Sequence, residues 1–414
     1  MSQMVIKSRQ LLVPQYMRKF SCIGSSCEDS CCIGWRVNIE KGTYKKYKKS
    51  RDSELKPYFE KSVTRLRTNS SSRSYAKIEM ESNGRCSFLS DENLCKVQLN
   101  LGVEYLSNTC TVYPRIINNL NGIIEKSATM SCPEAARLAL LNPNGIDFDQ
   151  IEEPEDTRGV ITLQLTTDNA KNNIIQKYFW ELRIFSIQIM QDRTYSIADR
   201  LIILGMFYQN LQEQIDQDNV HVIPNVITKF NNWTTNHGMK ELLDEIPTQL
   251  AVQMELCKEL VDFRFGQAVS SQRYVECLAE MLEGIQYTKE ATVEEVTKIY
   301  KKAFEEYYEP FMTKHEYILE NYLVNYIFKN WFPLGQKTLF DDYVMLVIHY
   351  SMIKLHLIGM SGFHKDLTKD LVIKLIQSFA KTVEHNSAYL KKIFDLLKAN
   401  GFTTMAYMSI LVKN

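Results

Sequence analysis

The sequence predicts a mainly α-helical protein in which a cysteine-rich N-terminal module precedes an all-helical domain. Three observations lead to this prediction. Eight of the ten cysteines lie within residues 22–132, a helical spacing of apolar residues begins near residue 168, and 45% of the 414 residues are apolar. A chain of this size and composition can bury a large core without covalent cross-links. We expect a module at 1–142, an acidic linker or crossing segment at 143–167 and a helical domain at 168–414.

The charges of the whole chain balance, with 49 basic and 49 acidic side chains. This balance argues against a nucleic-acid-binding protein, which would carry a strongly basic domain. Residues 1–80 nevertheless hold 17 basic and 7 acidic side chains. The densest basic run consists of Lys41, Lys45, Lys46, Lys48, Lys49 and Arg51. A solvated helix face is the simpler interpretation of this run, and contact with an acidic protein or anionic lipid is the alternative.

The N-terminal cysteines form a close cluster followed by a dispersed one. In order they are Cys22, Cys27, Cys31, Cys32, Cys86, Cys95, Cys110 and Cys132. The first 16 residues lack the apolar core of a signal peptide, so we expect a cytoplasmic protein whose thiols stay reduced. Short spacings between cysteines favour metal ligation over disulfides. Because the first histidine is His221, the sequence predicts all-thiolate ligation of either zinc or an iron–sulfur cluster.

Two details of the cluster limit its chemistry. Consecutive side chains of an extended segment point in opposite directions, so we expect Cys31 and Cys32 not to bind one metal together. Either they serve two neighbouring centres, or only one of them is a ligand. The three-cysteine spacing of radical S-adenosylmethionine enzymes begins at Cys27 but is broken by Gly34. No Gly-x-Gly pair occurs, so the dinucleotide-binding fingerprint is absent.

In the C-terminal part, the spacing of apolar residues predicts helices in order. The first such set is Ile175, Tyr178, Leu182, Phe185 and Ile189. Ser196, with Asp199 three residues later, predicts the N-cap of the next helix, whose inner face would carry Leu201, Leu204, Tyr208 and Leu211. Further helices are predicted over 247–280, 293–308 and 315–331. Thr368 is predicted to cap a last helix that buries Val372, Leu375 and Phe379.

The longest apolar stretch, Tyr343 to Met360, is interrupted by His349, Lys354 and His356. It is predicted to be a buried helix because a membrane-spanning helix needs about 20 mostly apolar residues. We expect both histidines to be core or surface residues rather than ligands, because two histidines without a third ligand seldom hold a metal. Aromatic residues at helical spacing are usually packing residues as well. Here they are Tyr307, Tyr308, Tyr317, Tyr322, Tyr326, Trp331 and Phe332, while Cys257 and Cys277 are predicted to be buried thiols.

The residues around the eight N-terminal cysteines form a specific set of motifs. These are Phe20 to Gly24, Cys27 to Trp35, Arg85 to Leu89, Leu94-Cys95, Cys110-x2-Tyr113-Pro114-Arg115 and Ser131 to Ala136. Over roughly residues 12–140 the chain resembles the flagellin lysine-N-methylase family. That family belongs to a wider group of zinc- or iron-chelating cysteine-rich domains. The helical remainder is similar only in general character.

The resemblance implies a protein-lysine N-methyltransferase that modifies flagellin in the bacterial cytoplasm with S-adenosylmethionine as the donor. It also implies a [4Fe-4S] cluster held by these cysteines, with zinc as the alternative, and association with the membrane surface and with other copies of the chain. The residues themselves support only the metal-thiolate module. A non-enzymatic zinc or iron–sulfur protein, acting as a scaffold or a redox module, is the alternative function.

Two side chains beside the cysteines could serve the metal or the donor. Trp35 is expected to cap the metal loop rather than to act as a stacking platform. Arg115 would balance the negative charge of thiolate-bound metal, or alternatively bind the donor carboxylate as a cofactor-binding residue. Three of the first four cysteines, Cys22 to Cys32, could anchor a cluster with one open iron, and activation of the donor would then be radical. In the polar alternative a deprotonated lysine attacks the methyl group directly, and the cluster is structural.

Overall fold

The computed structural model describes residues 8–68, 70–155, 157–167, 174–236, 238–256, 271–288 and 290–414. The chain divides into two compact units. The first consists of residues 1–135 and 148–165, and the second of residues 136–147 and 166–414.

The first unit contains two β-sheets. Its strands are β1 Ser8–Pro14, β2 Asn38–Ile39, β3 Val63–Arg65, β4 Ala76–Ile78, β5 Arg115–Leu120, β6 Ile123–Ala128, β7 Phe148–Pro154 and β8 Ile161–Leu165. The larger sheet has the order β7-β1-β6-β5-β8, and the smaller has the order β2-β4-β3. Strands β5 and β6 form a hairpin because Asn121 and Gly122 adopt the positive φ angles, 53° and 84°, that its two-residue turn requires.

Two strands, β7 and β8, lie within residues 143–167, which the sequence predicted to be an acidic linker or crossing segment. Strand β7 pairs antiparallel with β1 along its whole length, and β8 pairs parallel with β5. The acidic side chains that suggested a solvated segment find basic partners in the sheet. Glu153 accepts hydrogen bonds from Arg9 (2.7 Å) and from Lys126. Its side chain is only 13% exposed, so these carboxylates help to position an edge strand of the sheet.

Short helices and the smaller sheet enclose the aromatic core of the cysteine-rich region. The helices of the first unit and its boundary are Tyr16–Lys19, Lys41–Lys49, Leu55–Ser62, Lys96–Leu101, Asn108–Val112 and Pro133–Leu140. Tyr47 stacks on Phe59 with ring centroids 4.1 Å apart, and Phe88 lies 5.4 Å from Phe59. Stacked and tilted pairs of this kind contribute beyond the area that they bury. This core supports the loops that carry the thiols.

The described part of the second unit is built from helices, as the sequence predicts. They are Phe179–Gln191, Ile197–Asp216, Ile223–Thr235, Lys240–Asp244, Gln272–Gly284, Val293–Ala303, Glu309–His315, Tyr317–Lys329, Leu339–His364, Lys369–Phe379, Ser387–Ala399 and Met405–Val412. Two π-helical segments, Phe304–Tyr308 and Ala380–Glu384, continue helices of this set. Cys257 and part of the helix predicted over 247–280 lie outside the described residues.

The predicted helix caps are confirmed. The Ser196 hydroxyl accepts a hydrogen bond from the Asp199 N–H (3.2 Å), and Thr368 accepts one from the Leu371 N–H (3.3 Å). The apolar residues predicted to face inward from these two helices are buried, as are Leu182, Phe185 and Ile189 before them. The helix predicted from residue 175 begins later, at Phe179, after a 3-10 turn.

The central helix, Leu339–His364, is long and apolar enough to cross a membrane. Residues 341–362 of this helix are all buried, as the sequence predicts for a buried helix. Helix Gln272–Gly284 packs against it closely because glycines meet at the crossing. A Cβ atom on Gly284 would lie 1.8 Å from the Gly359 carbonyl oxygen.

Candidate functional site

Five of the eight N-terminal cysteines meet at one cavity in the first unit. They are Cys31, Cys32, Cys86, Cys95 and Cys110. Backbone pairing brings the two sequence clusters together, because the Cys86 N–H donates to the Cys32 carbonyl oxygen (2.8 Å). Cys95 immediately precedes helix Lys96–Leu101, and Cys110 lies in the helix that begins at Asn108. The fold therefore joins residues almost 80 positions apart at one point.

The cavity itself has a volume of about 80 Å³, which is several times the space that one water molecule needs. Apart from the thiols, its described lining consists of aromatic and aliphatic side chains and Gln98, with neither histidine nor carboxylate. Such a set of soft ligands suits zinc thiolate or iron–sulfur chemistry. In the described part of the chain, no three His, Cys, Asp or Glu side chains are already arranged around a single metal position.

Four thiols of the cavity, those of Cys32, Cys86, Cys95 and Cys110, have raised pKa values. Burial, with a smaller contribution from neighbouring cysteines, raises the pKa of Cys86 to about 11 and that of Cys110 to about 12. Backbone N–H groups oppose this shift. Those of Gln98 and Val97 lower the pKa of Cys95, although burial raises it more. Metal binding must therefore displace protons, and the N–H groups already point at the sulfur that would carry the negative charge.

Cys31 and Cys32 line the same cavity, which differs from the sequence prediction. A hydrogen bond with Cys31, followed by burial, raises the pKa of Cys32. The expectation of opposite orientations assumed an extended segment. Both residues lie instead in a turn, and the first β-bridge comes at Ile33. The alternation rule for strands does not apply in a turn, so both thiols reach the cavity.

The other three N-terminal cysteines lie outside the cavity lining. Cys27 and Cys132 are close enough to Cys31 for it to raise the pKa of each, after the larger effect of burial. The Cys27 thiol donates to the carbonyl oxygen of Asp29 (3.3 Å). Cys22 is exposed. The structure thus groups six of the other N-terminal cysteines around Cys31 and leaves Cys22 apart.

Trp35 and Arg115 occupy different places relative to the cavity. The Trp35 indole lines the cavity, donates its N–H to the Cys31 carbonyl oxygen, and lies 5.0 Å from the Tyr113 ring. This position is that of a cap over the thiols. Arg115 begins strand β5, and its guanidinium lies 5.1 Å above the Phe20 ring rather than in the cavity lining. Arg115 therefore contacts the segment just before Cys22.

A second candidate site, which the sequence did not predict, is a pocket of about 520 Å³ in the second unit. Its most buried lining residues are Tyr308, Met312, Leu319, Tyr350 and Lys354. Charged residues complete the lining: Asp199, Asp244, Glu309, Glu316, Arg193 and Lys413. A signal existed in the aromatic and acidic run from Phe304 to Glu309, of which we interpreted Tyr307 and Tyr308 as packing residues. Its π-helical geometry, frequent at functional sites, is not visible in the sequence.

The helical unit decides the family of the chain. The sequence profile of the FliB lysine N-methylase C-terminal domain matches residues 183–411. The chain belongs to the FliB lysine N-methylase family. The profile match therefore lies in the helical unit. The sequence motifs that suggested a similar family lie around the cysteines of the first unit.

Curated relatives of this FliB-family chain extend the similarity to its N-terminal part. The lysine-N-methylase of Salmonella typhimurium is 24% identical over 392 residues, which cover 91% of this chain and 92% of that protein. The lysine-N-methylase of Salmonella choleraesuis is 25% identical over 392 residues, which again cover 91% of this chain and 92% of that protein. The flagellar biosynthetic protein FliU of Salmonella muenchen is 29% identical over 175 residues, or 42% of this chain and 94% of that protein. No solved structure matches the chain.

The remaining predicted side chains of this FliB-family member lie in structural positions. His349 and His356 are buried in the central helix, where each ring bonds the carbonyl oxygen four residues earlier. Cys277 is fully buried beside Ser378. The basic side chains between Lys41 and Arg51 are exposed, as expected for a solvated helix face. Whether an acidic protein or a lipid surface contacts them stays a prediction.

Proposed function

We propose that this protein methylates lysine side chains of flagellin, with S-adenosylmethionine as the methyl donor and an iron–sulfur cluster bound by cysteines of the first unit. One observation supports the reaction above all others. The chain is similar to proteins named lysine-N-methylase over 91% of its length. The name of the flagellar relative FliU supports a flagellar substrate. Reduced thiols, as in the nine described cysteines, fit a protein that works in the cytoplasm.

The thiol cavity supports the cluster part of the proposal. Its five cysteines give an all-sulfur donor set, and its volume of about 80 Å³ leaves room for a group of several atoms. Zinc, which binds four sulfurs at about 2.3 Å, is the alternative for the same donor set. When bound, the cluster would supply Lewis-acid or electron-transfer chemistry. The chain's own contribution is to exclude water with Trp35, Tyr113 and the aromatic core and to stabilise thiolate with backbone N–H groups.

The proposed transfer forms one bond and breaks another. The lone pair of a neutral lysine amine forms the N–CH3 bond while the C–S bond of the donor breaks. S-Adenosylhomocysteine leaves, and the amine gives a proton to solvent. In the radical alternative, one electron from an added reductant cleaves a donor molecule to methionine and a 5′-deoxyadenosyl radical. The radical takes a hydrogen atom and leaves as 5′-deoxyadenosine, and a second donor molecule supplies the methyl group. Product analysis under reducing conditions separates the two routes, because S-adenosylhomocysteine as the sole nucleoside product indicates direct transfer.

The cluster is tested by anaerobic purification followed by iron, acid-labile sulfide and zinc analysis. We expect iron and sulfide in comparable amounts. Cys95→Ser should lose most of both, because its sulfur lines the cavity and accepts backbone N–H bonds. Cys277→Ser is the matched control, since that buried thiol lies in the second unit. Zinc without sulfide would refute the cluster.

The enzymatic part is tested separately, by mass spectrometry of flagellin co-expressed with the protein. We expect additions of 14 Da, one CH2 for each methyl transfer, on lysine side chains. Cys95→Ser should abolish them and Cys277→Ser should not. Unmodified flagellin beside folded, metal-loaded protein would refute methylation and leave the scaffold or redox function.

A further inference from the structure

The pocket of the second unit combines three kinds of surface. Aromatic rings of Phe304, Tyr308 and Tyr350 line it together with cationic and anionic side chains. Its volume of about 520 Å³ falls within the range of about 300–1,000 Å³ that is typical of small-molecule sites. Both signs of charge occur beside the aromatic rings. The pocket therefore fits a ligand that carries both charges and a planar ring.

The charges of the pocket are held in place. Glu316 accepts the Ile197 N–H (2.9 Å) and pairs with Arg200 (3.3 Å), whose side chain is 3% exposed. Lys354 is buried, donates to the Val412 carbonyl oxygen (2.8 Å), and lies 5.8 Å from the Tyr350 ring centre. Fixed charges of this kind bind without first losing side-chain freedom. One anionic group and one cationic group are thus preorganised in the same pocket.

We propose that this pocket binds the methyl donor, S-adenosylmethionine, an inference that rests on the proposed lysine methylation. The donor carries a carboxylate, which Lys354 and Lys413 can neutralise. Its ammonium group and ribose hydroxyls match carboxylates such as Glu316. The adenine ring and the sulfonium suit the faces of Tyr308 and Tyr350 through stacking and cation–π attraction.

The acceptor lysine fits the same pocket less well. A lysine side chain would leave most of the 520 Å³ empty. Its ammonium has no anionic part to pair with Lys354 or Lys413. The donor carries one carboxylate and two cationic groups and is larger, so it can use both the volume and the two signs of charge.

A π-helical segment carries part of the pocket lining. Segment Phe304–Tyr308 lies between helix Val293–Ala303 and helix Glu309–His315. Phe304, Tyr308, Met312 and Glu316, spaced four apart, all line the pocket. π-Helical segments within α-helices are frequent at functional sites.

The test measures donor binding directly, by equilibrium dialysis of the full-length protein with radiolabelled S-adenosylmethionine. Thr313→Trp should weaken binding at least tenfold, because Thr313 is an exposed lining residue and an indole there would fill the mouth of the pocket. Thr228→Trp is the matched control. Both threonines are exposed, and each bonds the carbonyl oxygen four residues earlier, but Thr228 does not line the pocket. The control should bind the donor as the unmodified protein does.

Each outcome bears on the assignment. Tenfold weaker binding in Thr313→Trp alone, with unchanged circular dichroism, supports it. Unchanged donor binding with a raised KM for flagellin would overturn it and assign the pocket to the acceptor lysine. Equal weakening in both variants, or no donor binding by unmodified protein, would also overturn it. Flagellin methylation, measured in parallel by mass spectrometry, shows whether the proposed function stands when the pocket assignment fails.

Discussion

The buried ion pair between Glu384 and Lys329 makes the stability of the helical unit sensitive to acid. The Lys329 ammonium lies 2.6 Å from one carboxylate oxygen of Glu384, and the Tyr322 hydroxyl donates to the other (2.7 Å). The side chains of the pair are 9% and 7% exposed. Burial alone would raise the pKa of Glu384, but the charge of Lys329 and these hydrogen bonds lower it to about 2.

The shift can be converted into a free energy. The unfolded chain has a glutamate pKa of 4.5, so the difference of roughly 2.5 units corresponds to about 3 kcal/mol of stability at neutral pH. Because the folded pKa is the lower one, the unfolded state binds more protons between the two values. The contribution of Glu384 is therefore present above about pH 4.5 and is lost as the pH falls to about 2.

The perturbation is Glu384→Gln, and the assay is urea unfolding followed by circular dichroism between pH 2.5 and pH 7. We expect a loss of about 3–5 kcal/mol at pH 7, because Lys329 is left buried without its counter-charge. The difference from the unmodified protein should shrink as the pH falls below 4.5. The exposed pair Lys391–Asp395 supplies the control, since Asp395→Asn should change stability by less than about 1 kcal/mol.

Two results would refute the reasoning about this pair. The first is a loss below about 1 kcal/mol at pH 7, which would mean that the pair is solvated. The second is a loss that stays constant down to pH 2.5, which would mean that the carboxylate is not the titrating group. Adding Lys329→Met to Glu384→Gln should recover part of the lost stability, because no uncompensated charge then remains buried.

Two further predictions concern packing and a second buried carboxylate. Gly284→Ala should destabilise the helical unit by about 1–3 kcal/mol in the same assay, because its Cβ would clash with the Gly359 carbonyl. Gly42→Ala is the control, because a Cβ atom there meets nothing within 4 Å in an exposed helix. It should slightly increase the free energy of unfolding. Equal changes in the two variants would contradict the close crossing at Gly284. Burial raises the pKa of Asp342 to about 7, so stability should fall as the pH rises from about 4 to about 7. The melting temperature of the unmodified protein should therefore be lower at pH 8 than at pH 5, and Asp342→Asn should remove this difference. An equal decrease in both proteins would contradict the prediction.

Local signals in the sequence determined the helices of the second unit. The hydroxyls of Ser196 and Thr368 cap helices because their hydrogen bonds reach only three residues along the chain. The apolar spacing that follows each cap faces the core for the same local reason. The central helix was predictable from composition, since its charged and histidine interruptions argued against a membrane span.

Composition also determined the kind of chemistry available to the first unit. Eight cysteines without a histidine allow thiolate ligation and little else. The sequence order could not show which of them converge. The sequence suggested that three of the first four could anchor a cluster, whereas in the structure Cys31 and Cys32 join three distant cysteines at the cavity and Cys22 lies outside its lining. That choice depends on the pairing of Cys86 with Cys32, which no local pattern encodes.

Tertiary structure alone decided the strands of residues 148–165 and the pocket of the helical unit. From the sequence, the carboxylates of β7 suggested a solvated linker. In the structure, Arg9, about 140 residues earlier in the chain, pairs with Glu153. The sequence predicted that Tyr308 is a packing residue. In the structure it is buried, and it also lines the pocket together with Asp199 and Lys354. Hydrogen bonds and periodicity act within a few residues, so the sequence determined the helices, and its composition supplied a set of thiols without histidine. Contacts between distant residues decide where charges and rings meet, and only the folded chain establishes them.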